Sequence, residues 1–280
     1  MDDELTPYLE SNRRLWEEWT TVHQRSTFYD LPGFVEEMRA GRDRMRRFEV
    51  EEVGEVAGKH LLHLMCHLGT DTLAWARRGA RVVGVDASAR SIAVARSLAD
   101  AVGLPATFIE ADVYRLPPTL AGAFDVVYAS HGVLGWLPDL HLWARAAASC
   151  LRPGGVFYLA EIHPFALTLD RRGEGDEALR VCHRYFPGGP PLASPVIGSY
   201  ADRTATVSVR WQYRWPHSLG EVVSAVAGAG LRVEFLHEFP FLVYQGLSFL
   251  EEDAEGLWRT PVSLGLELPL SFSLRAVEAR

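Results

Sequence analysis

Residues 61–86 read LLHLMCHLGTDTLAWARRGARVVGVD, and this stretch decides the fold. Residues 61–65 form a short apolar run of strand length, and a tight loop follows up to Thr70. A helix starting at Thr70 or Asp71 leads through a turn into a second strand, 81–86, with Asp86 at its tip. Strand, loop, helix and strand in that order make the nucleotide-binding half of a doubly wound α/β domain, where ligands sit beyond the carboxyl ends of the strands. The loop is crowded for such a site. Between Met65 and Thr70 there is one glycine, Gly69.

Working outward, short apolar strands are expected at 61–65, 81–86, 106–112, 124–130 and 156–163, as buried parallel strands read. Between them helices follow Thr70, span about Ser88 to Val102, and run from Asp139 to just before LRPGG at 151–155. Upstream, Leu5, Leu9, Trp16, Trp19 and Val22 have helical spacing, and Phe34 to Phe48 suggests a second helix. Arg39, Arg42, Arg44, Arg46 and Arg47 read as a solvated helix face, with an anion site as the alternative. After residue 163 the alternation breaks. Residues 164–217 are rich in Pro, Gly and aromatics, with one alternating run, ATVSVRWQYRW at 205–215, expected as β structure. SLGE at 218–221 is expected as a capping box for a helix over 219–229. A strand at 231–239, an irregular insertion at 240–268 and a last strand near 270–278 complete the chain. The expected organisation is a helical lid (1–50), a cofactor-binding core (51–163), a β-rich cap (164–217) and the rest of the core (218–280).

Composition bounds the partners. With 280 residues, 48% hydrophobic, the chain can bury a large core. A formal charge of −8 argues against nucleic acid, whose phosphates need a basic footprint. No apolar run approaches a membrane span, and the acidic start MDDELTPYLE does not read as a targeting segment. Cys66, Cys150 and Cys182 are widely separated and odd in number, which suits a cytoplasmic protein without disulfides.

Asp86 would face the ribose hydroxyls of a bound nucleoside, because a carboxylate accepts two hydroxyl hydrogen bonds. Asp112 ends the third strand in IEADVYRLP, where it could accept from an adenine amino group while Val113 donates its backbone N–H. The alternative is that both acids are turn or cap residues. A dinucleotide needs a glycine-rich loop for close approach to its pyrophosphate, and a nucleotide triphosphate needs a loop lysine. This loop has neither. Two carboxylates without a fixed cation favour a positively charged ligand free of phosphate, and S-adenosylmethionine fits that description.

The chain resembles the class I S-adenosylmethionine-dependent methyltransferases. LLHLMCHLG corresponds to the family's first motif, VVGVDAS to the second, IEADVYRLP to the third and FDVVYASHGVLGWL to the fourth; LRPGGVFYLAE marks the turn into strand five. The resemblance covers about 58–163 and the final helix and strands. It implies a Rossmann-like, seven-stranded, mostly parallel sheet with an antiparallel seventh strand inserted between strands five and six. Where the family's first motif has an acid and three glycines, this chain has His63, Met65, His67 and only Gly69. By position, the resemblance implies that Met65, Cys66, His67 and Gly69 meet the methionine end through backbone groups. Asp86, Ala87 and Ser88 would then surround the ribose, Asp112 and Val113 the adenine, and Ser130 and His131 the sulfonium, with His63 orienting the loop.

For chemistry, Glu161 and His163 in EIHPF and His217 in WPHS stand at strand and helix ends and are candidate general bases. Purely structural roles are the alternative for all three. His23, Tyr29 and His131 are further candidates. Trp136, Trp211, Tyr213 and Trp215 could wall a substrate site, or three of them could form the core of the cap. A metal site at His63, Cys66 and His67 lacks the spacing of zinc motifs, so no metal is expected. SHGV at 130–133 replaces the (Asn/Asp)-Pro-Pro-(Tyr/Phe) segment that serves amide and adenine amino substrates in related enzymes. The expected function is therefore methyl transfer to a small-molecule acceptor. A nicotinamide oxidoreductase on the same half-fold and a non-catalytic cofactor-binding protein are the rivals.

Overall fold

A computed structural model describes residues 3–170 and 179–279. The core alternates as expected: β1 (His60–Leu64), α4 (Thr70–Arg77), β2 (Arg81–Asp86), α5 (Ala89–Val102), β3 (Ala106–Glu110), β4 (Phe124–Ser130), α6 (Leu140–Ser149) and β5 (Leu151–Ile162). Upstream lie α1 (Thr6–Arg25), α2 (Leu31–Arg39) and α3 (Arg47–Val53). Downstream come β6 (Leu192–Pro195), β7 (Trp211–Arg214), α7 (Leu219–Gly228), β8 (Leu231–Phe239), β9 (Glu251–Glu252), β10 (Trp258–Arg259) and β11 (Ser271–Glu278). Among the described residues no helix is long and apolar enough to cross a membrane.

Seven strands form one sheet in the order β3-β2-β1-β4-β5-β11-β8. β11 runs antiparallel to both β5 and β8, so the last strand is inserted between its neighbours as the resemblance implied. Alternation along each strand divides the core between two faces. Val127 and Ala129 of β4 join Phe157 and Leu159 of β5 against Trp143 of α6 and Val226 of α7. Val126 and Tyr128 point the other way, with Tyr158, onto Val53 of α3 and Trp75 of α4. Both faces are covered, which is why these strands read as continuous apolar runs.

Three helix starts follow their sequence signals. Ser88, Asp139 and Ser218 each accept a backbone N–H of the first turn: Ser91, Leu142 and Glu221 respectively. At Ser218 the reciprocal half of the expected box is not what Glu221 forms; its carboxylate meets His217 Nδ1 at 3.1 Å.

The arm and the cap depart from expectation. The single helix anticipated over 34–48 is two helices, because Gly41 takes φ +85° and ends α2. Most of the arginine run therefore lies in the connecting loop. Of the run 205–215 only β7 is a strand, pairing with β6; the described cap is otherwise largely irregular, and residues 171–178 of the expected cap fall outside the described residues. Two small satellite cores hold these parts down. Leu15 and Trp19 of α1 pack on Val209 of the cap, while Ile162, Leu169, Leu242, Leu250 and Leu270 join the segments after β5 and β8.

Candidate active site

The loop after β1 is shaped by three residues with left-handed backbone: Met65 (φ 57°), His67 (φ 48°) and Gly69 (φ 74°). These are the places where the related first motif has glycines. The loop keeps a glycine-type path with two bulky side chains on it, a strain of roughly 1–2 kcal/mol per non-glycine residue. Gly69 has no alternative, since a Cβ there would come 2.7 Å from the Phe108 ring. Gly84 of β2 is similarly tight, and its missing side chain leaves room for Cys66 Sγ.

Backbone groups of this loop are largely engaged within the protein. Cys66 N donates to Val85 O, Gly69 N to Cys66 O, and His67 N to Asp86 Oδ2 at 2.8 Å. Of the backbone N–H and C=O groups expected to meet a ligand, the N–H groups are taken up by the protein: those of Cys66 and His67 hold the loop to β2, and that of Gly69 closes a turn on Cys66. Gly69 is also the one member of the expected cofactor set absent from the cavity lining.

The other members converge. Met65, Cys66, His67, Asp86, Ala87, Ser88, Asp112, Val113, Ser130 and His131 all line one cavity of about 1170 Å³ at the carboxyl ends of the strands. Asp86 also accepts Ser88 N at 2.8 Å, and burial pushes its carboxyl up to about 6. Asp112 accepts Tyr114 N at 2.9 Å through one oxygen.

His67 does more than fill space. Its Nε2 lies 2.7 Å from His23 Nδ1 of α1, and its Nδ1 lies 3.0 Å from Ser91 Oγ of α5. His23 Nε2 continues to Ser199 Oγ of the cap at 2.6 Å, and Ser91 Oγ to Thr20 Oγ1 at 2.7 Å. α1, the loop after β1, α5 and the segment at Ser199 are joined through this buried chain. Burial holds both imidazoles neutral, with His23 lowered to about 3. Expected only as a minor candidate, His23 is central; Thr20, Ser91 and Ser199 carried no sequence signal.

A second polar group lies at the ends of β1 and β4. Glu49 of α3 accepts from Tyr128 and lies 2.6 Å from His131 Nε2. Burial opposes the charged imidazole, but the Glu49 carboxylate outweighs it and raises His131 above the ordinary histidine range. Asp71, in the first turn of α4, accepts from Ser130 Oγ at 3.3 Å, and burial raises its carboxyl. Glu49 and Asp71 were missed. Nothing local marks an arm glutamate as a partner for a residue 82 positions away. His63 also lines the cavity, as a neutral ring where the related motif has an acid: it is buried with Nδ1 on Thr72 Oγ1 at 2.8 Å, and burial lowers it to about 3. Among the described residues no cluster of metal ligands occurs.

All three expected general bases are held in structural contacts, away from the cavity lining. Glu161 accepts the N–H groups of Gly132, Val133 and Leu134 at 2.5–2.9 Å and thereby fixes the loop after β4. His163 accepts Phe165 N on Nδ1 and faces Glu238 with Nε2 at 2.9 Å. His217 donates from Nε2 to Leu137 O at 2.7 Å. Each is buried next to a partner that fixes its ring or carboxyl, so none faces a reacting atom.

The aromatic wall is also redrawn. Trp136 lines the cavity, with Trp16 of α1 against it at 5.2 Å. Alternation in β7 turns Trp211 outward, 49% exposed, and Tyr213 onto Tyr8, while Gln212 and Arg214 face inward. Trp215 is buried and its backbone N–H donates to Gly135 O. Another part of the cavity is instead walled by Phe28, Tyr29, Tyr200 and Tyr244, with the Tyr29 and Tyr200 hydroxyls 2.5 Å apart.

Comparisons with known proteins agree with this architecture. Residues 61–155 match the family described as a methyltransferase domain. Over 149 residues the chain is 30% identical to the ubiquinone biosynthesis O-methyltransferase of Cronobacter sakazakii, covering 53% of this chain and 58% of that protein. The chain thus spans less than two thirds of that relative. Among solved structures, an S-adenosylmethionine-dependent methyltransferase from Mesorhizobium loti superposes with a TM-score of 0.52 at 19% identity, covering 82% of this chain and 95% of that one. A putative counterpart from Listeria monocytogenes gives 0.55 at 16% identity, covering 83% and 97%. Residues 61–155 are thus similar to methyltransferase domains, and the sheet with its reversed last strand has the fold of those solved structures. The inserted antiparallel strand also separates it from the nicotinamide-binding arrangement considered as a rival.

Proposed function

We propose that the chain transfers a methyl group from S-adenosylmethionine to a small-molecule acceptor. The cavity carries this reading. It runs from Asp86 and Asp112 to the aromatic wall under the lid and cap, and at about 1170 Å³ it exceeds the roughly 300–1,000 Å³ usual for a single ligand. Cofactor and acceptor can share it.

The cofactor supplies a methyl carbon already activated by a sulfonium. Asp86 accepts the His67 and Ser88 N–H groups and would accept from the ribose hydroxyls with its remaining lone pairs. Asp112 and Val113 would frame the adenine. Asp71, whose carboxylate receives only Ser130 Oγ among the described side chains, would face the cofactor's ammonium. Met65, Cys66, His67, Ala87, Ser88, Ser130 and His131 line the remaining space.

The residues of the chain then act by alignment and exclusion of water. Glu161 sets the loop that carries His131, Val133 and Trp136 into the cavity. The Glu49 carboxylate favours the charged form of His131, which in that form can balance a negative atom. Trp16, Trp136 and the tyrosines close the site against solvent.

Calorimetric titration with S-adenosylhomocysteine tests the cofactor assignment. Asp86→Ala should weaken binding by at least about 1.5 kcal/mol, the value of a hydrogen bond to a charged group. Equal affinity in the wild-type protein and the variant would refute it. Transfer of labelled methyl to members of a phenol, amine and thiol panel then tests the reaction.

A further inference from the structure

The loop at residues 243–245 organises the acceptor end of the cavity. Val243 O accepts from Arg46 Nη2 at 3.0 Å, and Gln245 O accepts from Arg203 Nη2 at 3.2 Å. Between them the Tyr244 ring stands 5.8 Å from Tyr200 and 6.4 Å from Phe28. All of these residues line the cavity. Arg46 comes from the arm and Arg203 from the cap, so the arrangement needs both segments packed on the core.

A carbonyl fixes a guanidinium without neutralising it. Among the described residues neither Arg46 nor Arg203 forms an ion pair with a carboxylate. Of the nearby acids, Glu49 is engaged with Tyr128 and His131, Asp71 bonds Ser130 and feels Arg46 electrostatically without an ion-pair contact, and Glu252 is exposed at the rim. Each guanidinium has five N–H donors, of which the carbonyl uses one. Two oriented arginines without an ion-pair contact among the described residues, with an aromatic surface beside them, match a flat molecule carrying an anionic oxygen group.

We infer that the acceptor is an aromatic or unsaturated oxyanion, a carboxylate or phosphate ester, whose charge is held by Arg46 and Arg203 and whose body lies on Tyr244, Tyr200 and Phe28. The inference rests on the methyltransferase reading for what happens next to the bound molecule, but the anion site itself can be read without turnover.

The test uses the full chain saturated with S-adenosylhomocysteine and three probes: benzoate, phenyl phosphate and benzamide, the neutral isostere of benzoate. Molecules of this size should bind on the order of 10 mM, and benzamide about tenfold more weakly than the preferred anion. Arg46→Gln and Arg203→Gln should each weaken the anion by about tenfold and leave benzamide unchanged. Arg46→Lys should restore less than Arg46 provides, because a point charge lacks the fork. Which anion binds better separates carboxylate from phosphate. Benzamide binding as well as the anions, or no saturable anion binding up to about 100 mM, overturns the inference. Failure to bind S-adenosylhomocysteine would instead refute the methyltransferase reading, and the probe titration without it would still report on the anion site.

Discussion

Replacing His67 by glycine and, separately, by alanine separates the two things this residue does. Both variants lose the contacts at 2.7 Å to His23 Nδ1 and 3.0 Å to Ser91 Oγ. Each contact contributes about 0.5–1.5 kcal/mol net, and His23, fully buried, loses the partner of one nitrogen. Ser91 keeps Thr20 at 2.7 Å. The common loss is about 2–3 kcal/mol. The variants differ in the backbone, which stands at φ 48°. Alanine keeps a strain of roughly 1–2 kcal/mol that glycine relieves, while glycine's freer unfolded chain returns about 0.4–1 kcal/mol of that difference. Both variants should therefore be less stable than the wild type, with His67→Gly more stable than His67→Ala by about 0.5–1 kcal/mol. Urea titration at neutral pH measures this, and the thermal midpoints should be ordered the same way, about 1–4 °C apart. A glycine variant equal to or less stable than the alanine variant would refute the strain argument. A variant as stable as the wild type would refute the bridge.

Asp86 makes cofactor affinity pH-dependent. Its folded carboxyl is raised to about 6, so the apo protein takes up a proton there as pH falls and loses the charged acceptor for the ribose. Affinity for S-adenosylhomocysteine should drop as pH is lowered through about 6, and Asp86→Asn should be weak and flat over that window; a flat wild-type profile would reject the assignment. Stability should follow the buried imidazoles in the same direction. His23 and His63 are held near 3, below the roughly 6.5 of an unfolded histidine. The unfolded chain binds more protons between those values, so stability is full above about 6.5 and is lost as pH falls toward 3. Glu161→Gln replaces a carboxylate holding three loop N–H groups by an amide with donors of its own. It should cost about 2–4 kcal/mol in denaturant unfolding, whereas an unchanged stability with a lost turnover would return Glu161 to the chemistry.

Much of this molecule is legible in its sequence for a local reason. Buried parallel strands and capped helices announce themselves within a few residues, so 61–65, 81–86 and 231–239 fall within one residue of β1, β2 and β8, and Ser88, Asp139 and Ser218 mark their helices. Asp86 and Asp112 were placed in the cavity by the same logic, since a strand end fixes where its last side chain goes. The loop at residues 65–69 kept its left-handed path in spite of Met65 and His67, because the surrounding β2 and α5 over-determine it.

The long-range pairings were not legible. Glu161, His163 and His217 look like catalytic groups in isolation, and only the fold shows that Gly132, Glu238 and Leu137 already occupy them. The bridge from Thr20 to Ser199 and the pair Arg46 and Arg203 join segments up to 179 and 157 positions apart, with no periodicity to signal them. The sequence alone determined the alternating core strands and helices, because those follow from local patterning and connection rules, while the reversed last strand was implied only by the family resemblance. The tertiary structure decided which polar groups face the cavity, because a side chain's role depends on the partner that reaches it first.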